Sequence, residues 1–342
     1  MATMRDVAKL AQVSVATVSR VLNKNGYVLK ATEERVYEAV RLLGYEMNGT
    51  PKVLASERPV RAIALFVPDI ANPYFAEMAR AIEDISRANG YHIILCNSDD
   101  QGHKEKSYLE TLSKGKIEGI IFISTSLSPN DMIEVEKYRI PYVFIDRAPN
   151  HEQRTVVRVK DYEGANIAVQ HLLDIGCRKI AHIYGPQEYS SAKERLKGYE
   201  DAVSKHPWYS PSLLVPGYFR YEGGMRAVEV LLERHPDVDG IFIANDIMAV
   251  GALKSLHQLG VKVPEQIAVC GFDGIAMTEL VSPDITTVAQ PIKRIGWYAA
   301  ELLFKKMSGE LAEDRVHELD VELISRRSTS RMHDPGSTAA IM

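Results

Sequence analysis

Hydrophobic positions follow two different periods along this chain. Up to about residue 45 they recur at helical spacing. Val7, Ala8 and Leu10 lie in a first segment that Thr3 can cap, with Asp6 at the capping-box position. Ser14 suits the N-cap of a second helix reaching Asn23, whose Val18, Val21 and Leu22 share one face. A third helix is expected from about Thr32 to Leu43, carrying Val36, Ala39 and Val40, with Gly44 as its stop. Two short helices about three residues apart, the second opened by Ser, form a helix-turn-helix pattern.

From residue 61 the period changes. Strand-like runs at 61–67, 91–97, 119–124, 141–146, 156–159, 179–184, 213–217, 240–244, 267–272 and 286–289 alternate with helical segments such as 74–89, 162–175, 221–234, 247–259 and 292–307. This alternation predicts an α/β body of parallel sheets covered by helices on both faces. Ten strands exceed one comfortable open sheet, so two similar sheets with a cleft between them are expected. Ligands of such sheets bind beyond the carboxyl ends of the strands. Between the two regions, Asn48, Gly49, Pro51 and Pro59 mark a linker. The residues after about 326 lack periodicity and read as a disordered tail.

Composition narrows the function. At 46% hydrophobic and 25% charged, the 342 residues suit a globular chain, and no apolar run approaches the ~18 residues of a membrane span. Arg5, Asp6 and Lys9 stand where a signal peptide would be apolar, which predicts a cytoplasmic protein. Cys96, Cys177 and Cys270 form no Cys-x-x-Cys pair, so neither a disulfide framework nor a zinc site is expected. The net charge of −4 is unevenly spread. Residues 1–60 hold nine Lys/Arg against six Asp/Glu, so a basic head precedes an acidic body.

Catalytic patterns are missing. The chain has no phosphate loop, no Gly-x-Gly-x-x-Gly, no His-Glu-x-x-His and no Gly-x-Ser-x-Gly. The histidines lack ligand spacing; His171, His182 and His257 read as packing or turn residues. Acids recur at the carboxyl ends of strands: Asp69, Asp99, Asp146, Asp246 and Asp273. They suit acid–base work or hydrogen bonding to a polyhydroxyl ligand equally well. No cofactor or metal is expected.

The stretch Asp6-Val7-Ala8-Lys9-Leu10-Ala11-Gln12-Val13-Ser14-Val15-Ala16-Thr17-Val18-Ser19-Arg20-Val21-Leu22-Asn23, continuing to Gly44-Tyr45, resembles the headpiece of LacI/GalR-family bacterial transcriptional regulators. The body is similar to the family at Pro68-Asp69-Ile70-Ala71-Asn72-Pro73-Tyr74-Phe75, Val143-Phe144-Ile145-Asp146-Arg147, Ala244-Asn245-Asp246 and Gly271-Phe272-Asp273. The resemblance implies a helix-turn-helix domain at 1–46 and a hinge at 47–60. A periplasmic-binding-protein-like body would follow, with one subdomain at 61–160 and 290–322, the other at 161–289 and 323–329, and a tail from 330 to 342.

By the same resemblance, Val15, Ala16 and Arg20 face base edges in the major groove, where Arg20 suits a bidentate contact to guanine. Thr3, Ser14, Thr17, Ser19 and Asn23 suit phosphates, although helix capping explains Ser14 and Thr17 equally well. Tyr45 also falls within the implied DNA-binding set. Leu54 matches the family leucine that wedges into the minor groove at the operator centre. The hinge departs from pattern: the family usually has Ala-Arg-x-Leu where this chain has Pro51-Lys52-Val53-Leu54.

In the body the resemblance implies a ligand cleft lined by Tyr74, Phe75, Asp146, Arg147, Arg195, Phe219, Asn245 and Asp273, a set suited to a sugar. For Arg195 and Asp273 the competing reading is a structural ion pair, and for Phe75 a core position. The expected function is a homodimeric repressor on a palindromic double-stranded operator, controlled by a small effector, most simply an inducing sugar. Glu301 replaces the basic residue of the family's phosphoprotein-binding branch. A nucleobase or nucleoside corepressor, a cytosolic sugar-binding protein and a sugar-processing enzyme are the alternatives.

Overall fold

The computed structural model describes residues 3–22, 26, 28–43, 45, 61–115, 117–149, 153–311 and 313–331. They fall into two compact units, 1–59 and 60–342. In the first, α1 (Met4–Ala11) opens on the expected capping box: Asp6 N donates to Thr3 Oγ1 at 3.4 Å, and Thr3 N donates to Asp6 Oδ2 at 2.8 Å. The helix stops at Gln12, which takes a left-handed φ of 53°. Ser14 Oγ then accepts from Thr17 N at 3.0 Å and opens α2 (Val15–Leu22). The third helix, α3 (Lys30–Leu43), begins two residues before the expected Thr32. Its first turn is closed by the Leu29 carbonyl, which accepts from Thr32 N and Glu33 N and needs no capping side chain. Val7, Ala8, Ala11, Val18, Val21, Val36 and Ala39 form the buried core between the three helices.

The second unit runs β1 (Ala62–Val67), α4 (Pro73–Ala88), β2 (His92–Asn97), α5 (Gly102–Ser113), β3 (Ile117–Ile123), α6 (Pro129–Lys137), β4 (Tyr142–Ile145) and β5 (Val156–Val159). It continues with α7 (Asp161–Asp174), β6 (Ile180–Tyr184), α8 (Ser190–Val203), β7 (Leu214–Pro216), α9 (Tyr221–Arg234), β8 (Gly240–Ile243) and α10 (Asp246–Gln258). The chain then forms β9 (Ala268–Asp273), α11 (Met277–Leu280), β10 (Thr286–Ala289), α12 (Ile292–Met307), β11 (Val316–Leu319) and β12 (Glu322–Ile324). Two six-stranded sheets result, ordered β11-β5-β4-β3-β1-β2 and β12-β10-β9-β8-β6-β7. All pairings are parallel except β10 with β12. All ten expected strands are present. The short edge strands β11 and β12 were not expected, because Val316-His317-Glu318-Leu319 and Glu322-Leu323-Ile324 are too brief and too charged to announce themselves.

Both faces of the first sheet's central strands are buried. Ile63, Leu65 and Val67 pack with Met78 and Ile82 of α4 and Ile295 and Leu303 of α12, while Ala64 and Phe66 pack with Leu109 of α5 and Met132 of α6. The second sheet repeats the scheme with α9 and α10 on one face and α7 and α8 on the other. The chain changes sheet between β5 and α7, between β10 and α12, and between β11 and β12. Residues at these crossings therefore stand where two rows of strand ends meet.

The stretch after 326 is not a tail from the outset. Ser328 Oγ donates to Val269 O at 2.6 Å, Thr286 N donates to Ser328 Oγ at 2.8 Å, and Arg331 Nε donates to Pro264 O at 3.1 Å. Ser328 and Thr329 are buried. Hydroxyl bonds to a distant strand hold this segment, and no periodicity signals them. Residues 332–342 lie outside the described set. Among the described residues no helix is long and apolar enough to cross a membrane.

Candidate functional site

On the first unit, α2 buries Val18 and Val21 and turns Val15, Ala16 and Arg20 outward. Arg20 makes no side-chain hydrogen bond or ion pair among the described residues. Ser14 and Thr17 are engaged in capping: their hydroxyls lie 2.8 Å apart, and Ser14 Oγ holds Thr17 N. Ser19 is half-buried on the same helix. Thr3 is committed to Asp6, through the capping box and a 2.7 Å bond from its hydroxyl. Tyr45 is half-buried against the helical core, with its N–H donating to Val40 O at 3.1 Å. Asn23 and Leu54 lie outside the described residues.

On the second unit the strand ends of the two sheets face each other across a cleft of about 1020 Å³. All eight residues expected there line it. Phe75 does so while also packing on the first sheet's core, so both of its competing readings apply. Arg195 likewise combines a structural ion pair with a place on the lining. Its Nε donates to Asp161 Oδ1 at 2.8 Å, its Nη1 donates to Ala244 O at 2.5 Å and stands 3.6 Å from Asp273 Oδ1, and its guanidinium lies 3.7 Å from the Phe272 ring centre. Arg195, Asp161 and Asp273 are all at most 6% exposed.

The network runs on through Asp273. Gln290 Nε2 donates to Asp273 Oδ1 at 2.8 Å, and Tyr74 OH donates to Gln290 Oε1 at 2.9 Å. Burial pushes the Asp273 carboxyl up to about 7 and the Asp161 carboxyl up to about 6, with Arg195 holding both below where burial alone would put them. Burial opposes the charge on Arg195, but the neighbouring carboxylates outweigh it and keep the guanidinium firmly protonated. On the opposite wall, Asp146 Oδ2 accepts from Ser124 Oγ at 2.6 Å and Ser191 Oγ at 3.3 Å. Asn245 caps α10 through Oδ1, which accepts from Met248 N at 3.0 Å. Each side chain is thus held by one edge, while Arg195 Nη2, Asn245 Nδ2 and Asp146 Oδ1 have no hydrogen-bond partner among the described residues.

Phe219 arrives on an unusual turn. Tyr218 and Phe219 both take left-handed φ values, 58° and 55°. A β-carbon at Gly185 would stand 2.3 Å from the Phe219 ring, so only glycine lets that ring lie down. Asp246, grouped with the strand-end acids, does not line the cleft. It is fully buried behind the wall, accepting from Gly274 N, Ile275 N and the Thr287 hydroxyl at 2.7–3.0 Å. Its carboxylate anchors the turn after β9 that presents Asp273.

Asp161, Gln290, Ser124, Ser191 and Tyr189 belong to the cleft and were not anticipated. For the first two a signal existed, since Asp161 and Gln290 stand two residues and one residue after strand-like runs ending at 159 and 289. Ser124 closes the strand-like run 119–124 and carries the same mark, whereas Tyr189 precedes α8 and Ser191 lies in its first turn, where the sequence offers none.

With this geometry in view, comparison with known proteins is direct. Residues 3–48 match the model of bacterial regulatory proteins, lacI family, and residues 169–329 that of a periplasmic binding protein-like domain. The chain is 39% identical over 329 residues to the ribose operon repressor of Halalkalibacterium halodurans, covering 96% of this chain and 97% of that one. It is 33% identical to the HTH-type transcriptional repressor PurR of Aliivibrio salmonicida, covering 97% and 100%. Among solved structures, a complex of the transcriptional regulator CelR with cellobiose superposes with a TM-score of 0.72 at 32% identity, covering 96% and 100%. The outward face of α2, the ligand cleft and these similarities agree: the chain belongs to the lacI family of bacterial regulatory proteins, and is a ligand-controlled DNA-binding repressor rather than an enzyme.

Proposed function

We propose that a small neutral sugar enters the cleft and releases a dimer of this repressor from its operator. The observation that carries the effector class is the set of half-committed polar groups, Arg195, Asn245 and Asp146, flanked by the faces of Phe219 and Phe75. Fixed donors and acceptors beside an aromatic face suit vicinal hydroxyls on a C–H-rich ring. Eight Asp/Glu against four Arg line the cleft, which disfavours phosphorylated or carboxylated effectors. The ribose operon repressor among its relatives makes D-ribose the first sugar to test. Calorimetric titration of the purified protein, paired with operator gel shifts, is the test. Ribose binding that weakens the operator complex supports induction. A sugar that tightens it would make the effector a corepressor, and a purine base alone acting would replace the sugar.

On the DNA side, Val15, Ala16 and Arg20 read base edges while Thr3, Ser14, Thr17, Ser19, Asn23 and Tyr45 fix the register on the backbone. Leu54, in the 47–60 hinge, wedges the minor groove. Leu54→Ala is expected to weaken operator binding strongly while ribose binding stays intact; unchanged operator affinity would remove the wedge. The dimer is supported by β2, an edge strand with Ile94 and Leu95 about 40% exposed. Leu95→Lys should shift sedimentation toward the monomer.

A further inference from the structure

Beside the effector cleft lies a second chamber of about 350 Å³. Ser126, Asp146, Arg147, Arg158 and Glu188 each have a face on both, so the two spaces meet along one wall. Within that wall Arg158 is drawn aside by Glu318 at 2.8 Å, Asp146 is held by Ser124 and Ser191, and Glu188 is exposed. The Arg147 guanidinium is the bulky group fixed in place between the chambers. Its Nη2 donates to Ser126 Oγ at 2.7 Å and Ser124 O at 3.3 Å, and its Cζ lies 4.2 Å from the Tyr189 ring centre.

The layer continues beyond Arg147. Tyr189 stacks on Phe219 with ring centres 6.0 Å apart and 22° between planes. Arg147, Tyr189 and Phe219 therefore form three stacked plates across the cleft. Arg147 Nε is buried without a hydrogen-bond partner among the described residues. A buried N–H of this kind is costly unless an acceptor reaches it, and a ligand oxygen ending at Arg147 would supply one.

The chamber behind the wall has a saccharide's chemistry. Leu127, Pro129 and Pro149 offer an apolar surface, and Ser190 and Lys193 offer donors. The Lys193 ammonium has no ion pair among the described residues. We propose that Arg147 sets the length of the effector: it ends the cleft at one sugar ring and closes off a latent subsite for a second. This rests on the sugar reading above and adds to it a residue that decides size.

The test compares the full-length wild type with Arg147→Met and Arg147→Ala by calorimetric titration against D-ribose, D-glucose and cellobiose. Wild type is expected to prefer its better one-ring sugar to cellobiose by roughly tenfold or more. Arg147→Met keeps the bulk and loses the donors, so one-ring binding weakens while cellobiose stays excluded. Arg147→Ala removes the plate, and the ratio should move toward cellobiose by roughly tenfold. Should Arg147→Ala fail to fold, Ser126→Ala, which removes one pin, is expected to move the ratio the same way by roughly threefold. A ratio unchanged in Arg147→Ala, or wild type binding cellobiose as tightly as one ring, overturns the proposal. Wild type binding none of the three sugars is a different failure: it removes the sugar reading itself, and this proposal with it.

Discussion

Arg20 in the headpiece and Arg195 in the body are both proposed to meet a ligand, yet their surroundings have little in common. Arg20 stands exposed on α2 with no side-chain bond among the described residues, while the core of its unit is built from Val7, Val18, Val36 and their neighbours. Arg195 is 5% exposed and bonded to Asp161, Ala244 and Asp273, and it joins elements that reach the cleft from different stretches of chain. A surface that reads DNA can change its reading without disturbing the fold beneath it. A cleft whose binding groups also hold the fold cannot. In the proposed function this coupling has a use: an effector that engaged the network differently in two body states would shift their balance, which is what a switch requires.

Removing Arg195 tests that contrast most severely. Arg195→Ala leaves Asp161 and Asp273 buried and unpaired, and is expected to cost about 3–5 kcal/mol of stability. Urea unfolding followed by circular dichroism measures it; a loss within about 0.5 kcal/mol, the usual range for surface positions, would mean that cleft and fold are separable. Arg20→Ala is the counterpart. Its stability should stay within about 0.5 kcal/mol of wild type. Discrimination at one operator base pair should fall by about 1–3 kcal/mol, read by competition among single-base operator variants. Weakening that is uniform across those variants would make Arg20 a phosphate contact instead.

Acidity sharpens the comparison on the body's side. The folded chain holds protons on Asp273 up to about pH 7 and on Asp161 up to about pH 6, whereas the unfolded chain releases them near the ordinary carboxyl value of 3.8. The folded state therefore binds more protons across that window, and these two groups make stability fall as pH rises through it. Sugar hydroxyls donate best to an ionised carboxylate, so effector binding should release protons. Affinity should then rise by about tenfold at most per pH unit up to pH 7 and level off above. Titrations in two buffers of different ionisation enthalpy count the protons; uptake instead of release would mean that the bound sugar accepts from a protonated Asp273.

The same contrast explains what was legible in the sequence. Headpiece helices are set by neighbours three and four residues away, so Thr3, Asp6 and Ser14 announce α1 and α2. Central strands of a parallel sheet are buried on both faces and read as apolar runs. Strands β11 and β12 are short and polar, and pair with β5 and β10 from distant parts of the chain. Their existence depends on partners that no local window contains. Asp161 and Gln290 were missed for a related reason: each gains its role from a crossing between sheets. Ser328 is held by Val269 and Thr286, a tie between remote segments.

Within the headpiece, the smallest expected effect lies at Gln12. It ends α1 at φ 53°, a left-handed conformation in which its β-carbon crowds the following carbonyl. Its backbone N–H closes the helix by donating to Ala8 O and Lys9 O, and its side chain is exposed. Gln12→Gly relieves about 1–2 kcal/mol of crowding and returns about 0.5–1 kcal/mol through the freer unfolded chain, a net gain of about 0.5–1 kcal/mol. Hydrogen exchange of the α1 and α2 amides in the full-length protein should slow by about two- to fivefold, with body amides unchanged. Gln12→Val, branched at the β-carbon, should speed exchange at the same amides. If both substitutions leave those rates alone, the turn between the helices is not where headpiece stability is set, and the strain at Gln12 is absorbed elsewhere.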